Sequence, residues 1–280
     1  MEITRQAREL LRGQRAAAAA VEFVHFAAGL LLLLLYLAVL RLLGLSAETV
    51  VRLPDIAAGK WAYPLLTLLF LVADWLAISP VLAGRASFYY KISRGELPAF
   101  TTVFKYFGSG YSRALRWRFS GTLRRLLDIL ACLSPAAFVS GMTGAIRQSG
   151  SLTPKDDYYI MMGNAISAFL LIAGLFVLSI ISLRRLPALF LLVLEDNDVN
   201  HNKKIFKTAA LKMRGNIAGM FHFYLIWVGR LAPCLLLFPK FFLFPVFYTA
   251  KTLKAIRIIN SEHIKKQPAA LQKTMTLPDF

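Results

Sequence analysis

From Gly29 to Leu40 the chain runs without a single charge, inside an apolar stretch that begins at Ala16. A segment of that length matches the hydrocarbon core of a bilayer, which takes about 20 apolar residues as a helix. Composition agrees: of 280 residues 57% are hydrophobic and 17% charged, whereas a soluble domain carries about 25% charged groups. Together they exclude an ordinary soluble fold and identify an integral membrane protein. The formal charge of +18 does not indicate nucleic-acid binding. A binder would need its basic residues on a water-exposed face and would not carry uncharged runs of this length.

Arg5, Arg8, Arg12 and Arg15 before the first apolar run resemble the start of a secretory signal. The run from Ala16 to Leu40 is about twice as long as a signal's apolar core, so an uncleaved first span is expected. Further spans are expected over 61–84, 126–146, 159–183 and 217–238, with a shorter sixth at 241–259 interrupted by Lys251 and Lys254. The predicted architecture is all-α: a six-helix transmembrane bundle forming one multi-pass membrane domain over 1–260, with a polar cytoplasmic tail at 261–280. Five spans, or a re-entrant last hairpin, is the alternative.

The basic residues divide unequally between the two sides of such a bundle. Six of the 33 Lys and Arg (Arg41, Arg52, Lys60, Arg147, Lys155 and Lys240) fall on one side and Arg230 within a span; the other 26 share the opposite side with both termini. Lys and Arg mark the cytoplasmic face, so both ends are expected there.

Two inner segments carry more than solvated charge. Phe104, Phe107, Tyr111, Ala114 and Leu115 recur at helical spacing between Lys105, Ser109, Ser112, Arg113 and Arg116, and Ile205, Phe206, Ala209, Ala210 and Met213 do so beside Lys203 to Arg214. Both read as amphipathic helices in the cytoplasmic interface, with Lys105, Arg113 and Arg116 contacting anionic lipid headgroups. The pattern of basic helix, glycine and span recurs: Leu11, Arg12, Gly13 and Gln14 before the first span, Met213, Arg214, Gly215 and Asn216 before the fifth, and a looser equivalent around Gly108. Proline follows in the second helix of each pair, at Pro80, Pro187 and Pro245. Such hairpin repeats can build a compact bundle.

This order of features, from Leu11-Arg12-Gly13 through Pro80 to Gly84, Arg94-Gly95-Glu96, Val103 to Phe107, Glu195 to Asp198, Leu211 to Asn216 and Pro245 to Tyr248, resembles a bacterial family of uncharacterised integral membrane proteins, the one called domain of unknown function 975. The resemblance implies a six-span protein of the bacterial cell membrane and supplies no catalytic residues.

Ionisable groups at membrane depth cost at least a few kcal/mol each unless paired or hydrated. Asp74 and Arg230 are expected at similar depth and are the candidates for an intramembrane ion pair. Glu22 and His25 share a helix face and, with His222, form a candidate polar cluster; helix-to-helix hydrogen bonding suits them better than metal ligation. Asp128 is expected in a salt-bridge cluster with Arg124, Arg125, Arg184 or Arg185. The acidic run Glu195, Asp196 and Asp198 reads as a helix-capping turn. Cys132 and Cys234 read as small buried hydrophobes.

No nucleophile and base pair, metal motif or phosphate loop occurs, so neither enzymatic activity nor a cofactor is expected. The leading expectation is a non-enzymatic membrane module that binds lipid, with anionic headgroups on the cytoplasmic side, or a protein partner. The alternative is a transporter or permease-like protein for a small anionic or amphipathic solute. A C-terminal reporter that works only outside the cytoplasm is expected to stay silent; a strong signal would overturn the orientation.

Overall fold

The computed structural model describes residues 2–43, 62–108, 110–148, 154–194, 202–235 and 237–266. Among them no strand occurs. The elements are α1 (Glu2–Leu10), α2 (Arg15–Leu42), α3 (Ala62–Ser93), a 3-10 segment (Phe100–Phe107), α4 (Tyr111–Gln148), α5 (Pro154–Arg185), α6 (Ala188–Leu194), α7 (Asn202–Lys212), α8 (Ile217–Leu231), a second 3-10 turn (Ala232–Leu235) and α9 (Leu237–Lys266).

Among the described residues five helical stretches are long and apolar enough to cross a membrane: Arg15–Leu42, Leu65–Ser93, Tyr111–Gln148, Asp156–Leu194 and Ile217–Cys234. Their apolar side chains face outward to an extent no soluble protein tolerates; Leu31 is 69% exposed, Phe169 71% and Val228 67%. Such a belt is what lipid covers. The expected sixth span is a continuous helix within α9, but Lys251 and Lys254 leave it short of the same apolar length. That helix continues to Lys266, past the expected start of the tail at 261; the tail's last residues, 267–280, lie outside the described set.

The long helices form a ring in which α4 packs on α5, α5 on α8, α8 on α9, α9 on α2, α2 on α3 and α3 on α4. At one end of the ring α1 packs on α9, the 3-10 segment on α3, and α6 and α7 on each other. The buried core lies at this basic end, where Tyr106, Leu192, Ile205, Ala209 and Ala255 form one cluster and Leu11, Val21, Phe88 and Val103 another.

Two corners show why these elements turn where they do. Gly13 and Gly215 both take positive φ, +89° and +86°, a conformation that costs other residues a clash at Cβ. Around them the hydrogen bonds match: Gln14 N donates to Leu11 O and Ala18 N to Gln14 O, as Asn216 N does to Met213 O and Met220 N to Asn216 O, all at 2.9 to 3.0 Å. The basic helix, glycine and span repeat is thus a shared backbone geometry at the first and fifth spans.

The third instance differs. A helix running from Phe100 through Arg116 was the expectation; instead a 3-10 segment ends at Phe107, and Tyr111 to Arg116 open α4. The break falls at Gly108 and Gly110, the latter lying against the Tyr106 ring so closely that a Cβ would stand 2.6 Å from it. The segment is held by its other side: a Cβ on Gly84 would stand 1.9 Å from the Val103 carbonyl oxygen. Only glycine lets α3 accept the Val103 backbone there. By contrast Gly141 and Gly144, small residues of the kind that permit close helix packing, border open space.

Because backbone cannot move aside as a flexible side chain can, Gly84→Ala should displace the 3-10 segment and lower thermal stability in detergent by about 1–3 kcal/mol or more. Gly29→Ala, with nothing within 4 Å of the added methyl, is the control and should leave the melting temperature unchanged or slightly raised, since alanine suits a helix interior better than glycine. Equal melting of the two variants would contradict this docking.

Candidate binding cavity

The site is organised by α3, whose proline starts it. Pro80 has no N–H to give the Leu76 carbonyl one turn back, and its ring crowds that turn. The loosened carbonyls are answered from α4: the Tyr111 hydroxyl donates to Leu76 O at 3.3 Å, and Arg118 Nη1 to Asp74 O at 3.2 Å and Trp75 O at 3.4 Å. Arg118 Nη2 meanwhile donates to the Asp74 carboxylate at 2.9 Å. This corrects the expected pairing of Asp74 with Arg230. The α3 turn holding Asp74 is one that Arg118 already serves, whereas α8 packs on α5 and α9. The Arg230 guanidinium instead lies 5.7 Å from the ring of Trp227 on its own helix.

One turn and a half beyond Pro80, Arg85 makes the most buried ion pair described. Its Nε donates to Glu22 Oε1 at 2.9 Å while Nη2 donates to Oε2, and the Tyr89 hydroxyl donates to Oε1 at 2.7 Å. The two side chains are 6% and 2% exposed. A bidentate guanidinium with a third donor satisfies the carboxylate well enough to offset much of its desolvation. The outer face of the Arg85 guanidinium lies 3.6 Å from the Tyr248 ring centre, and Tyr248 stacks on Tyr89 at 5.6 Å. Glu22, Arg85, Tyr89 and Tyr248 therefore tie α2, α3 and α9 into one knot.

The expected cluster of Glu22, His25 and His222 is not brought together as such. Glu22 turns to Arg85; His25 is half-buried on α2; His222 is exposed on α8. No group of three His, Cys, Asp or Glu side chains among the described residues is arranged to hold a metal ion. Sequence reasoning missed Arg85 because it ended the span at Gly84 and left Arg85 in a loop. The signal was present: a carboxylate at Glu22 inside an apolar run needs a cation at the same depth. The Asp128 expectation narrows to one partner, Arg185, whose Nη2 donates to Asp128 Oδ1 at 2.9 Å. Arg124 instead packs over the Phe206 ring at 4.6 Å.

Between these pairs lies a cavity of about 1030 Å³. Among the described residues five cations line it, Arg85 from α3, Arg118 and Arg125 from α4, Arg185 from the end of α5 and Lys251 from α9, and no carboxylate does. Hydroxyls of Thr122, Ser179, Ser182, Tyr224 and Thr252 add polar points. The remaining wall is apolar, with Leu175, Leu178 and Phe221 along the spans and Leu189, Phe190 and Phe206 from the basic end. Trp117 also lines it, and its indole N–H is buried with no acceptor among the described residues.

The other sequence-derived residues lie elsewhere. Lys105 and Arg116 are exposed and Arg113 is half-buried, in the region of the 3-10 segment. On that segment Phe100, Phe104 and Phe107 are 41%, 44% and 48% exposed while Val103 and Tyr106 are buried. The amphipathic face of α7 is not free: Ile205, Phe206, Ala209 and Met213 are buried against neighbouring helices. The acidic run Glu195 to Asp198 falls outside the described residues. Cys132 and Cys234 are half-buried free thiols. No protein-family model, curated protein or solved structure matches the chain.

Removing Glu22 leaves a buried guanidinium without its counter-charge, a loss of about 3–5 kcal/mol for such pairs. Glu22→Ala should sharply reduce the folded fraction recovered by size exclusion in detergent. Glu22→Leu combined with Arg85→Met, which removes both charges, should recover most of it. A double variant no better than the single one would contradict the pairing.

Proposed function

We propose that this protein is a non-enzymatic, multi-pass membrane module that binds an anionic lipid in the cavity between α3, α4, α5, α8 and α9. The observation that carries the reading is the lining itself: among the described residues, five cations and no carboxylate, with a few hydroxyls, in a largely apolar wall. Each uncompensated cation at membrane depth costs about 2.5–3.5 kcal/mol or more, and an anionic headgroup relieves that cost while hydrocarbon covers the leucines and phenylalanines. The volume is at the upper end of small-molecule sites, which run about 300–1,000 Å³.

The basic end supports the same reading. Exposed Phe100, Phe104 and Phe107 stand beside Lys105, Arg113 and Arg116, an arrangement suited to a leaflet of anionic headgroups, where each basic residue is worth about 1 kcal/mol. In this reading α9 completes six spans, its lysines lie at the inner boundary, and both termini are cytoplasmic in a bacterial cell membrane, as the resemblance to the domain of unknown function 975 family implies. The permease-like alternative rests on Asp74, Arg230 and the proline-broken second helices; Asp74 is bonded to Arg118, which removes the ion pair from its support.

Lipid that stays with the purified chain tests this. Anionic species should be enriched over their share of the host membrane, and Arg125→Gln with Lys251→Gln should abolish that enrichment without lowering the melting temperature. Retained lipid of the same composition as the membrane, before and after substitution, would overturn the proposal.

A further inference from the structure

The charges around the cavity are not equally available. Three of the five cations are already answered from behind the wall: Arg85 by Glu22, Arg118 by Asp74 and Arg185 by Asp128. Lys251 and Arg125 are different. Neither has a carboxylate within ion-pair distance among the described residues, and both line the same cavity. The Lys251 ammonium lies against aromatic faces, 5.2 Å from the Tyr248 ring centre and 6.0 Å from that of Tyr224. Among the described residues the cavity therefore presents two positive charges without a counter-charge, with the unaccepted Trp117 indole N–H in the same wall.

That inventory discriminates between headgroups. A phosphomonoester carries about −1.5 to −2 charges at pH 7 and three terminal oxygens, so it can satisfy Lys251, Arg125 and a third donor together. A phosphodiester or a carboxylate carries a single charge and leaves one cation unmatched. A phosphate group alone fills only a small part of about 1030 Å³, and the apolar remainder of the wall suits a hydrocarbon chain. We propose that the cavity selects a lipid phosphomonoester over singly charged lipids, with Lys251 and Arg125 as the residues that make the distinction. This rests on the anionic-lipid reading above and narrows it to one headgroup chemistry.

The test uses the full chain in detergent micelles, with binding followed by native mass spectrometry. The probes are a dioleoyl phosphatidic acid, a dioleoyl phosphatidylglycerol, oleate, glycerol 3-phosphate and inorganic phosphate. The phosphatidic acid should bind about tenfold tighter than phosphatidylglycerol or oleate, the change expected when one further charge pair forms. The two soluble phosphates should bind far more weakly than the lipid. Lys251→Gln and Arg125→Gln should each bring phosphatidic acid down to the level of phosphatidylglycerol, while Lys251→Arg and Arg125→Lys keep the preference. If the glutamine variants do not fold, the wild-type ranking alone decides.

Equal binding of phosphatidic acid and phosphatidylglycerol to the wild type would overturn the headgroup assignment and leave the anionic-lipid reading standing. Soluble phosphates binding as tightly as the lipid would overturn the lipid part of the assignment. Binding of none of the anionic lipids would overturn both readings. A phosphatidic acid preference untouched by both glutamine substitutions would remove Lys251 and Arg125 from the role.

Discussion

The carboxylate of Glu22 sits in a helix that is otherwise apolar for most of its length, and a bare charge there is too costly to leave unmatched. Arg85 answers it through two nitrogens, Tyr89 adds a third donor, and Tyr248 covers the guanidinium from α9. Packing between lipid-facing helices gains little from the hydrophobic effect, since lipid tails are as apolar as leucine. A knot of charge and aromatic surface is therefore an effective way to fix which face of α2 meets α3 and where α9 crosses them. The position of Tyr248 then brings Lys251, three residues further on, into the cavity wall.

The same demand repeats around the ring with different partners. Pro80 loosens the α3 carbonyls, Arg118 and Tyr111 satisfy them from α4, and that sets how α4 lies against α3. Asp128, midway along α4, meets Arg185 at the end of α5. Glu22, Asp74 and Asp128 are each matched to one arginine, and the arginines also form one side of a shared space. The cavity is a by-product of satisfying charges pairwise: the acids stand behind their cations, so the wall is left positive.

Much of this organisation was legible in the chain. Long, predominantly apolar runs marked five spans, and the glycines after Leu11-Arg12 and Met213-Arg214 marked two corners that share one backbone geometry. What failed was partner choice. Asp74 was matched to Arg230 by depth alone, but depth says nothing about azimuth, and the helix beside Asp74 is α4. The break of the interfacial helix at Gly108 and Gly110 was also missed, because side-chain periodicity continues across it while the backbone does not. His222 failed for the same reason as Arg230: similar depth, wrong face.

The sequence by itself determined which stretches are long and apolar enough to enter a bilayer, because hydrocarbon admits only predominantly apolar helices and composition alone reports them. It also determined that Glu22, Asp74 and Asp128 each need a cation. Only the tertiary structure decided which cation each receives, and so which are left over. Lys251 and Arg125 gained significance by subtraction, once Arg85, Arg118 and Arg185 had been claimed by carboxylates. The physical reason is that neutralisation is a contact property: it depends on which helix faces meet within a few ångströms, and no linear pattern of charges encodes that.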